Sequence, residues 1–464
     1  MTDSWATFGA DLHLDLSAGR GLRAGLTEAL REAARSGRLA AGTRLPSSRT
    51  LAADLGIARN TVAEAYAELV AEGWLTAHQG SGTRVAERAR LRRPAAAARI
   101  RRPVRTGPAY SLVPGSPDLG CFPRAAWLTA ARRALTDAPN EAFGYGTDLR
   151  GRVELRQALA GYLARARGVY ADPERIVLCA GFLHGLTLLA GVLRARRVRE
   201  VAVEGYGLDF HRNLLVRAGL RTRPLGVDGE GARTGQLTAA EGAVLLTPAH
   251  QFPTGAALTP ARRAAVVDWA RTTDGLIMED DYDGEFRYDR QPVGALQGLD
   301  PDRVVYLGTA SKSLAPGLRM GWMVVPPGLL DEVLALKGPN DWASSALDQL
   351  TLAEFINSGA YDRHVRGMRL RYRRRRDELV AAVGDRVAVS GIAAGLHAVL
   401  DLPEGTERSV VQSAAWQDLA LHGLTRFRHP QAELPPRDAL VVGYGTPADS
   451  AWGPTLAALS AALP

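Results

Sequence analysis

Lysine is almost missing from this sequence: of its 57 lysine and arginine residues, only Lys312 and Lys337 are lysines. Arginine can supply charge and phosphate contacts, but it cannot lose its proton and attack a carbonyl carbon, as a lysine amine in a suitable pocket can. A lysine retained in so arginine-rich a chain is therefore a candidate for amine chemistry. Lys312 lies in the run Thr309-Ala310-Ser311-Lys312-Ser313, whereas nothing around Lys337 suggests chemistry.

Cysteine and long apolar runs are also scarce. Cys121 and Cys179 cannot form a disulfide framework and do not have metal-ligand spacing, so we expect ordinary thiols in a reducing cytoplasm and no metal site. No segment is apolar for long enough to span a bilayer, and the N-terminus lacks a secretory pattern. These absences predict a cytoplasmic protein without a membrane partner, and a length of 464 residues favours two or three domains.

The positive charge is concentrated near the N-terminus. Residues 1–108 carry 17 Arg and 10 Asp or Glu, a balance of +7, while the whole chain is +8. The remaining three-quarters of the chain is therefore nearly neutral. A basic N-terminal module on a neutral body suggests a polyanionic partner for that module alone.

The basic module has the pattern of three helices followed by a hairpin. Apolar residues repeat at helical spacing over residues 21–36, and Pro46-Ser47-Ser48 supplies a break and an N-cap before a short helix that Gly56 ends. A longer helix is expected from Arg59, with an inward face of Val62, Ala65, Tyr66 and Leu69. Residues 74–85 predict a two-stranded hairpin with a glycine tip.

This order is that of a winged helix-turn-helix, and the sequence closely resembles the GntR family of bacterial regulators. The matching segments are Gly37-Arg38-Leu39, residues 42–49, Arg59-Asn60-Thr61-Val62 and Glu72-Gly73-Trp74-Leu75. The resemblance implies a double-stranded DNA operator as partner. The residues that would meet DNA are Arg49, Arg59, Asn60 and Thr61, with Gly80 and Ser81 of the wing beside the minor groove. The alternative is that Arg49 and Arg59 are solvated residues at helix starts.

The predicted domains are a DNA-binding domain over residues 15–86, a linker over 87–108 and a large domain over 109–464. The linker is rich in Arg, Ala and Pro and has few large apolar residues, so it cannot bury enough surface to fold alone. Either the linker is simply a solvated tether, or its arginines add nonspecific affinity for DNA. The second alternative would make DNA binding depend steeply on salt concentration.

The large domain alternates predicted helices with short apolar strands. The strands are expected near residues 175–178, 201–203, 243–246, 275–278 and 304–307. Such alternation predicts an α/β fold with a mostly parallel sheet, whose ligand site lies at the strand ends. Polar residues follow two of these strands directly, at Glu279-Asp280-Asp281-Tyr282 and at Gly308-Thr309-Ala310-Ser311-Lys312.

Here the sequence resembles a fold-type I aminotransferase, which depends on pyridoxal 5′-phosphate (PLP). The matching segments are Tyr145 with Gly151 and Leu155-Arg156, residues 247–255, residues 279–288, the Lys312 run through Arg319, and residues 364–369. An aminotransferase-like domain fused to a GntR-type module is typical of the MocR subfamily of regulators. The resemblance covers essentially the full chain.

The resemblance implies a role for each matching residue toward PLP. Lys312 would form a Schiff base with the aldehyde, Asp280 would face the pyridine nitrogen, and Tyr282 would hydrogen-bond the ring hydroxyl. The phosphate would be held by Arg319, Thr309 and Ser311 and by the backbone at Phe182 and Leu183. Tyr206 would stack on the ring. Tyr145 would reach the phosphate from a neighbouring subunit, which implies a homodimer. Alternatively, Asp280 could be a salt-bridge partner and Tyr206 a core residue.

Three positions depart from the family pattern. Phe252 stands where aminotransferases place a cofactor-binding asparagine, and the phosphate turn Gly181-Phe182-Leu183-His184 lacks a side-chain donor. Val441 aligns with the arginine that clamps the substrate α-carboxylate in the enzymes of the family. A valine cannot bind a carboxylate, and Arg426 or Arg428 is a candidate to replace the clamp.

We therefore expect a regulator that binds PLP through Lys312, without efficient turnover. Its effector would be PLP itself, with vitamin B6 metabolism as the target, or an amino compound that forms an external aldimine. One alternative is a working aminotransferase with an accessory DNA-binding domain. Another is a constitutive DNA-binding protein with a degenerate, cofactor-free body.

Overall fold

The computed structural model describes residues 21–78, 82–87, 107–144, 148–288, 293–338 and 345–464. Most of the predicted linker lies outside these residues, as do Gly80, Ser81 and Tyr145, three residues with predicted site roles. The chain divides after Thr106 into two compact units. Each unit has its own hydrophobic core.

The N-terminal unit contains three helices and a hairpin, as predicted. Its elements are α1 (Leu22–Ser36), α2 (Ser48–Leu55), α3 (Arg59–Ala71), β1 (Leu75–His78) and β2 (Gly82–Val85). Ser47 begins α2 by accepting a hydrogen bond on its side chain from the Thr50 amide at 3.1 Å. Gly56 ends α2 in the left-handed conformation, with a φ of 64°.

The core of this unit forms on the inward face of α3. Val62, Ala65, Tyr66 and Leu69 are the buried residues of that helix, as their spacing predicted. They pack with the apolar face of α1 and with Leu75 of the hairpin. The polar face of α3 is thereby left toward solvent.

The second unit is built on a sheet of seven strands among the described residues, in the spatial order β4-β12-β11-β10-β9-β5-β6. The bounds are β4 (Ile176–Cys179), β5 (Glu200–Glu204), β6 (Arg221–Leu225), β9 (Ala243–Leu246), β10 (Leu276–Asp281), β11 (Val304–Thr309) and β12 (Gly321–Val324). All pairs are parallel except those of β12, which runs antiparallel to β11 and β4. The predicted mostly parallel α/β sheet is confirmed.

Helices cover both faces of this sheet. The bounds are α4 (Arg124–Asp137), α5 (Val153–Arg167), α6 (Phe182–Ala195), α7 (Asp209–Arg217), α8 (Pro260–Thr273), α9 (Pro327–Lys337), α10 (Ala346–Asn357), α11 (Ala360–Val383), α12 (Glu407–Trp416) and α13 (Asp449–Ala462). Successive residues of β4 point to opposite faces of the sheet and pack into different cores. Val177 packs with α6 and α9, while Ile176 packs with α5 and α10. Among the helices described, none is long and apolar enough to cross a membrane.

A smaller antiparallel sheet lies toward the C-terminus, in the order β13-β14-β17-β16. Its bounds are β13 (Ala388–Ser390), β14 (Ala398–Asp401), β16 (His422–Gly423) and β17 (Ala439–Val442). Two short pairs complete the unit: β3 (Tyr110–Ser111) with β15 (Leu419–Ala420), and β7 (Val227–Asp228) with β8 (Gly231–Ala232). Val441 of β17 pairs with Val399 of β14 and with His422 of β16.

Candidate functional sites

A cavity of about 570 Å³ opens at the carboxyl ends of the central strands of the large sheet. The fold brings together there every described residue that was expected to touch the cofactor. These lining residues are Phe182, Leu183, Tyr206, Asp280, Tyr282, Thr309, Ser311, Lys312 and Arg319. They come from positions more than a hundred residues apart, so the sheet topology rather than local sequence assembles the site.

Three consecutive acids at the end of β10 have different surroundings. Glu279 accepts hydrogen bonds from the amides of Leu296 and Gln297. Asp281 forms an ion pair with Arg167 at 2.7 Å. Asp280, which lies between them and lines the cavity, has an Oδ1 atom with no hydrogen-bond partner in the described chain.

The isolation of Asp280 has an electrostatic consequence. Burial raises the pKa of its carboxyl well above the ordinary range, and the nearby Lys312 only partly opposes this shift. A positively charged ring nitrogen beside Asp280 would supply the missing partner and favour the ionised form. Asp280 thus lines the cavity with an unpartnered oxygen, and in the described chain it forms no ion pair of the kind considered above.

Lys312 follows β11 and reaches into the same cavity, where its ammonium donates a hydrogen bond to the Gly115 carbonyl. Burial lowers the pKa of its amine, while the carboxylates of Asp280 and Asp283 act in the opposite direction. The neutral, nucleophilic form is therefore reached at lower pH than in a solvated lysine. Lys337, by contrast, ends α9 and donates to the Leu149 carbonyl, and it is not among the cavity-lining residues described.

One end of the cavity is suited to a phosphate. Gly181 precedes α6 with a φ of 83°, and a Cβ added there would come within 3.4 Å of both terminal nitrogens of Arg319. The backbone amides of Phe182 and Leu183 belong to the first turn of α6, where amides lack helical partners and attract anions. Arg319 itself is fixed by a 2.6 Å hydrogen bond to the Ala180 carbonyl.

Two hydroxyls lie beside this end. The oxygens of Thr309 and Ser311 are 2.8 Å apart, and Thr309 also donates to the Met320 carbonyl. Both residues line the cavity. They offset the lack of a side-chain donor at Phe182 and Leu183.

Aromatic side chains form one wall of the cavity. Tyr206 is 4% exposed and lies in an apolar cluster with Phe252 and Phe427. Phe252, at the position of the usual asparagine, contacts the ring of Tyr282 edge-on at a centroid distance of 6.1 Å. It closes this wall with apolar surface and offers no hydrogen bond to a ligand.

The groups behind Tyr282 were not predicted from the sequence as site residues. The Tyr282 hydroxyl donates to the His250 carbonyl at 3.0 Å and lies 3.2 Å from His250 Nδ1. His250 Nδ1 lies 2.8 Å from Asp283 Oδ2, and the His397 ring packs against His250. His250, Asp283 and His397 each place an atom that could bind a metal ion within 4.8 Å of the others. The 2.8 Å contact between His250 and Asp283, however, is a hydrogen bond.

Glu204 is a second carboxyl at the cavity, and it was not predicted from the sequence. Its Oε2 accepts hydrogen bonds from Thr247 Oγ1 at 2.5 Å and Gln251 Nε2 at 3.1 Å. Burial raises the pKa of Glu204 to about 7, against the opposing effect of these hydrogen bonds. The signal available was its place at the end of β5, two residues before Tyr206.

The hypothesis that Arg426 or Arg428 replaces the missing clamp is not supported by the structure. Arg428 donates to the carbonyls of Ala432 and Leu434, both at 2.9 Å, so its side chain holds a loop in place. Arg426 is exposed. Neither is among the described residues that line the cavity. Val441 is fully buried in the apolar cluster of Tyr206 and Phe252, as a valine in a central strand should be.

The candidate DNA-binding residues lie at two helix starts of the N-terminal unit. Arg49 is exposed in the first turn of α2, and Arg59 and Asn60 are exposed at the start of α3. Thr61 follows, half-buried. Within the described residues neither arginine has a carboxylate partner, so both remain available to phosphates.

Comparison with known proteins agrees with both units. Residues 22–85 match the gntR family of bacterial regulatory proteins, and residues 118–433 match the class I and II aminotransferases. The pyridoxine biosynthesis transcriptional regulator PdxR of Corynebacterium glutamicum is 33% identical over 424 residues, covering 91% of each chain. The probable rhizopine catabolism regulatory protein MocR of Rhizobium meliloti is 33% identical over 461 residues, covering 93% of this chain and 92% of that one.

Among solved structures, an archaeal alanine:glyoxylate aminotransferase matches with a TM-score of 0.67 at 25% identity, covering 76% of this chain and 89% of that one. The fold, the cavity and these matches define a helix-turn-helix transcription regulator that carries a PLP-binding, aminotransferase-like domain. Within that class, the chain belongs to the MocR subfamily of the GntR regulators.

The residues present fit PLP. Asp280 offers an unpartnered buried carboxyl oxygen, Lys312 an amine of lowered pKa, and the turn at Gly181 a cradle that a side chain would fill. These are the groups needed opposite the ring nitrogen, the aldehyde and the phosphate of the cofactor. The fit is therefore observed at three separate points of the cavity.

Proposed function

We propose that this chain is a transcription regulator whose operator binding responds to PLP, or to an amino compound captured on PLP, without efficient turnover. The observation that carries the proposal is a contrast between the residues that line the cavity and the buried residue at the clamp position. Lys312, Asp280 and Arg319 supply a full set of groups for the cofactor, whereas Val441 is buried in apolar surroundings where the enzymes of the family clamp their substrate.

PLP supplies an aldehyde that reacts reversibly with amines and a ring that withdraws electrons. Lys312 offers the amine, Asp280 favours a protonated ring nitrogen, and Arg319 with the start of α6 holds the phosphate. Each of these groups binds or orients the cofactor. A sensor of PLP needs no more than these contacts.

Turnover requires more than cofactor binding. A catalyst must hold its substrate with the α-proton correctly placed for removal, and much of its rate comes from that orientation. The apolar wall of Phe252 and the buried Val441 supply no group for this purpose. We therefore assign the site to sensing, with at most residual transamination.

The names of the relatives support a regulatory role and suggest a target. PdxR is named for pyridoxine biosynthesis and MocR for rhizopine catabolism, so related chains regulate different processes. PLP is the end product of vitamin B6 metabolism, and a regulator that binds it can report its supply. We propose vitamin B6 synthesis or salvage as the target of this chain.

A homodimer would let two DNA-binding domains contact two half-sites of one operator. The outer face of α4 supports this assembly. Leu128 and Leu135, one heptad apart, are 62% and 54% exposed, and Leu119 and Phe143 near the ends of the helix are also exposed. A large contiguous apolar patch on a surface marks an interaction site.

The proposal is tested by titrating cofactor-free protein with PLP while operator binding is measured by fluorescence anisotropy. We expect the affinity to change with PLP in the wild type and in Lys337→Arg. It should stay constant in Lys312→Arg, because arginine keeps the charge but cannot react with the aldehyde. If the wild type does not respond to PLP, alone or with amino acids, the proposal fails.

The alternative is a working aminotransferase, favoured by the lowered pKa of Lys312. It is tested by mixing the PLP-loaded protein with amino acids and a keto-acid acceptor. Many turnovers per active site would establish the enzyme. A single partial conversion to the pyridoxamine form would be the residual reaction expected of a sensor.

A further inference from the structure

Arg212 is a cation that lines the cavity and has no role toward the cofactor in the arrangement proposed above. It lies in the first half of α7, is 8% exposed, and lines the same cavity as Lys312. Arg319 is the other arginine among the described lining residues, and it is held against Gly181 at the phosphate end. Arg212 therefore needs a separate explanation.

The partners of Arg212 are main-chain carbonyls. Its Nη1 donates to the Gly207 carbonyl at 2.8 Å and to the Phe427 carbonyl at 3.4 Å, and its Nη2 donates to the Arg428 carbonyl at 3.5 Å. In the described chain no carboxylate forms an ion pair with it, although Asp209 acts at longer range. Burial lowers the pKa of the guanidinium, so the cation lies in surroundings that do not balance its charge.

A guanidinium has five N–H donors and binds a carboxylate through two parallel hydrogen bonds. A buried cation without an anion is costly, and an anionic ligand would relieve that cost. The cavity beside Arg212 is where such a ligand can enter. These properties make Arg212 a candidate group for binding an anion.

The direction of the side chain separates it from the phosphate end. The neighbouring His211 ring packs on Phe182, at the start of α6, with centroids 4.6 Å apart. Arg212 instead reaches Phe427, which belongs to the same apolar cluster as Val441. The guanidinium thus lies near the small-sheet region from which enzymes of this family extend their carboxylate clamp.

We propose that Arg212 binds the carboxylate of an effector whose amino group reacts with PLP at Lys312, so that the effector is an amino acid. This inference rests on the proposed function and names the class of its amino compound. The walls formed by Val113, Leu208 and Leu396 are apolar and fit a hydrocarbon segment between the two polar ends. Arg212 extends from the helix α7, whereas the clamp of the enzymes is at the position of Val441 in β17. The ligand is therefore anchored from a different element than in the enzymes.

The test compares amines that differ only in a carboxylate. PLP-loaded protein without DNA is titrated with L-alanine, β-alanine and 4-aminobutyrate, and with ethylamine and 1-propylamine, and the visible absorbance of the cofactor is recorded. At least one carboxylated amine should bind the wild type about 10- to 100-fold more tightly than its decarboxylated partner. Arg212→Gln should lose that preference, and Arg212→Lys should keep part of it.

Arg426→Gln is the matched control, because Arg426 is exposed and outside the cavity-lining set. It should keep the wild-type preference. A role of Arg212 in merely holding the Phe427 segment would weaken all amines equally, and that result would overturn the proposal. So would a wild type that binds plain amines as tightly as amino acids, or that binds no amino acid.

A second measurement needs no variant of Arg212. Propionate and butyrate, which lack an amino group, should compete with the amino acid for the wild-type site. Their failure to compete would count against a carboxylate anchor even if Arg212→Gln does not fold. The amine titrations contain no DNA, so their result does not depend on operator binding. If the carboxylate preference is intact but operator binding does not respond, the proposed function is contradicted and the role of Arg212 stands.

Discussion

The imidazole of His250 and the carboxylate of Asp283 form a buried pair, with Nδ1 and Oδ2 2.8 Å apart. His250 Nε2 has no partner among the described residues, and a hydrogen there would be an unsatisfied buried donor. The proton is therefore assigned to Nδ1, which donates to Asp283. The Tyr282 hydroxyl donates to the His250 carbonyl, and its oxygen lies 3.2 Å from the same nitrogen as a second acceptor of the Nδ1 hydrogen, so the pair holds that hydroxyl at the cavity.

This arrangement predicts different effects of two amides at position 250. His250→Asn places a side-chain N–H near the position of Nδ1 and should keep PLP affinity within about threefold of the wild type. His250→Gln places its amide near the position of Nε2 and should weaken PLP about tenfold, since one hydrogen bond to Tyr282 is lost. The PLP dissociation constant, measured by absorbance, checks both values.

Tyr282→Phe provides the control for this prediction. If His250 acts through the hydroxyl, then His250→Gln should add little to the loss already caused by Tyr282→Phe. Additive losses, or equal effects of Asn and Gln, would contradict the positioning role. The pH at which the visible PLP band changes should shift only in variants that disturb the hydroxyl.

Glu204 predicts a pH-dependent stability. Burial raises its pKa from 4.5 to about 7 in the folded protein. Its contribution to stability is fully present below pH 4.5 and is lost as the pH rises to about 7, because the folded protein binds the proton more tightly there. Glu204→Gln cannot ionise, so above pH 7 it should exceed the wild type by on the order of 3 kcal/mol in urea unfolding of the cofactor-free protein.

Glu241 is a matched buried glutamate whose pKa is shifted in the opposite direction. Burial alone would raise its pKa, but hydrogen bonds from Thr238 and Arg223 lower it overall. Glu241→Gln should therefore destabilise the protein at neutral pH, with the difference fading as the pH falls through the lowered pKa. A gain from Glu204→Gln that is the same at pH 4 and pH 8 would contradict the assignment.

Arg59 predicts the electrostatic part of operator binding. Its exposed guanidinium at the start of α3 is expected to contact a phosphate or a base edge. Arg59→Ala should weaken binding about tenfold, and a phosphate contact would also reduce the slope of log K against log salt by about one. Arg35→Ala removes the same charge from α1, where Arg35 pairs with Glu32, and should leave binding nearly unchanged. Equal losses in both variants would indicate net charge alone.

Much of this molecule could be predicted because its signals are local. The inward face of α3 follows from helical spacing, and the end of α2 follows from Ser47 and Gly56. Five of the seven strands described in the large sheet were located because buried strands of such sheets are nearly continuous apolar runs. Lys312 and Asp280 were found because each stands directly after such a strand, at the sheet edge where ligands bind.

The missed residues depend on packing between distant segments. His250 and Asp283 are 33 residues apart and meet only when the end of β10 lies beside the turn after β9. Arg212 reads as an ordinary charge near the start of a helix until the fold brings it to Phe427. The arginine suggested as a clamp, Arg428, had the right charge and the wrong direction. Sequence gives the charge of a side chain, but its direction depends on neighbours that are unknown at that stage.

The burial of Val441 predicts that restoring the family residue will not restore an enzyme. Val441 is fully buried in an apolar cluster that includes Val399 and Phe427, and a guanidinium placed among them would have no anion. Val441→Arg should lower the free energy of unfolding by about 3 kcal/mol or more, while Val441→Ile should cost about 1 kcal/mol. Neither variant should gain transamination. A folded Val441→Arg protein with many turnovers per site would show that the clamp alone was missing, and the cavity would then have to be regarded as that of a catalyst lacking one residue.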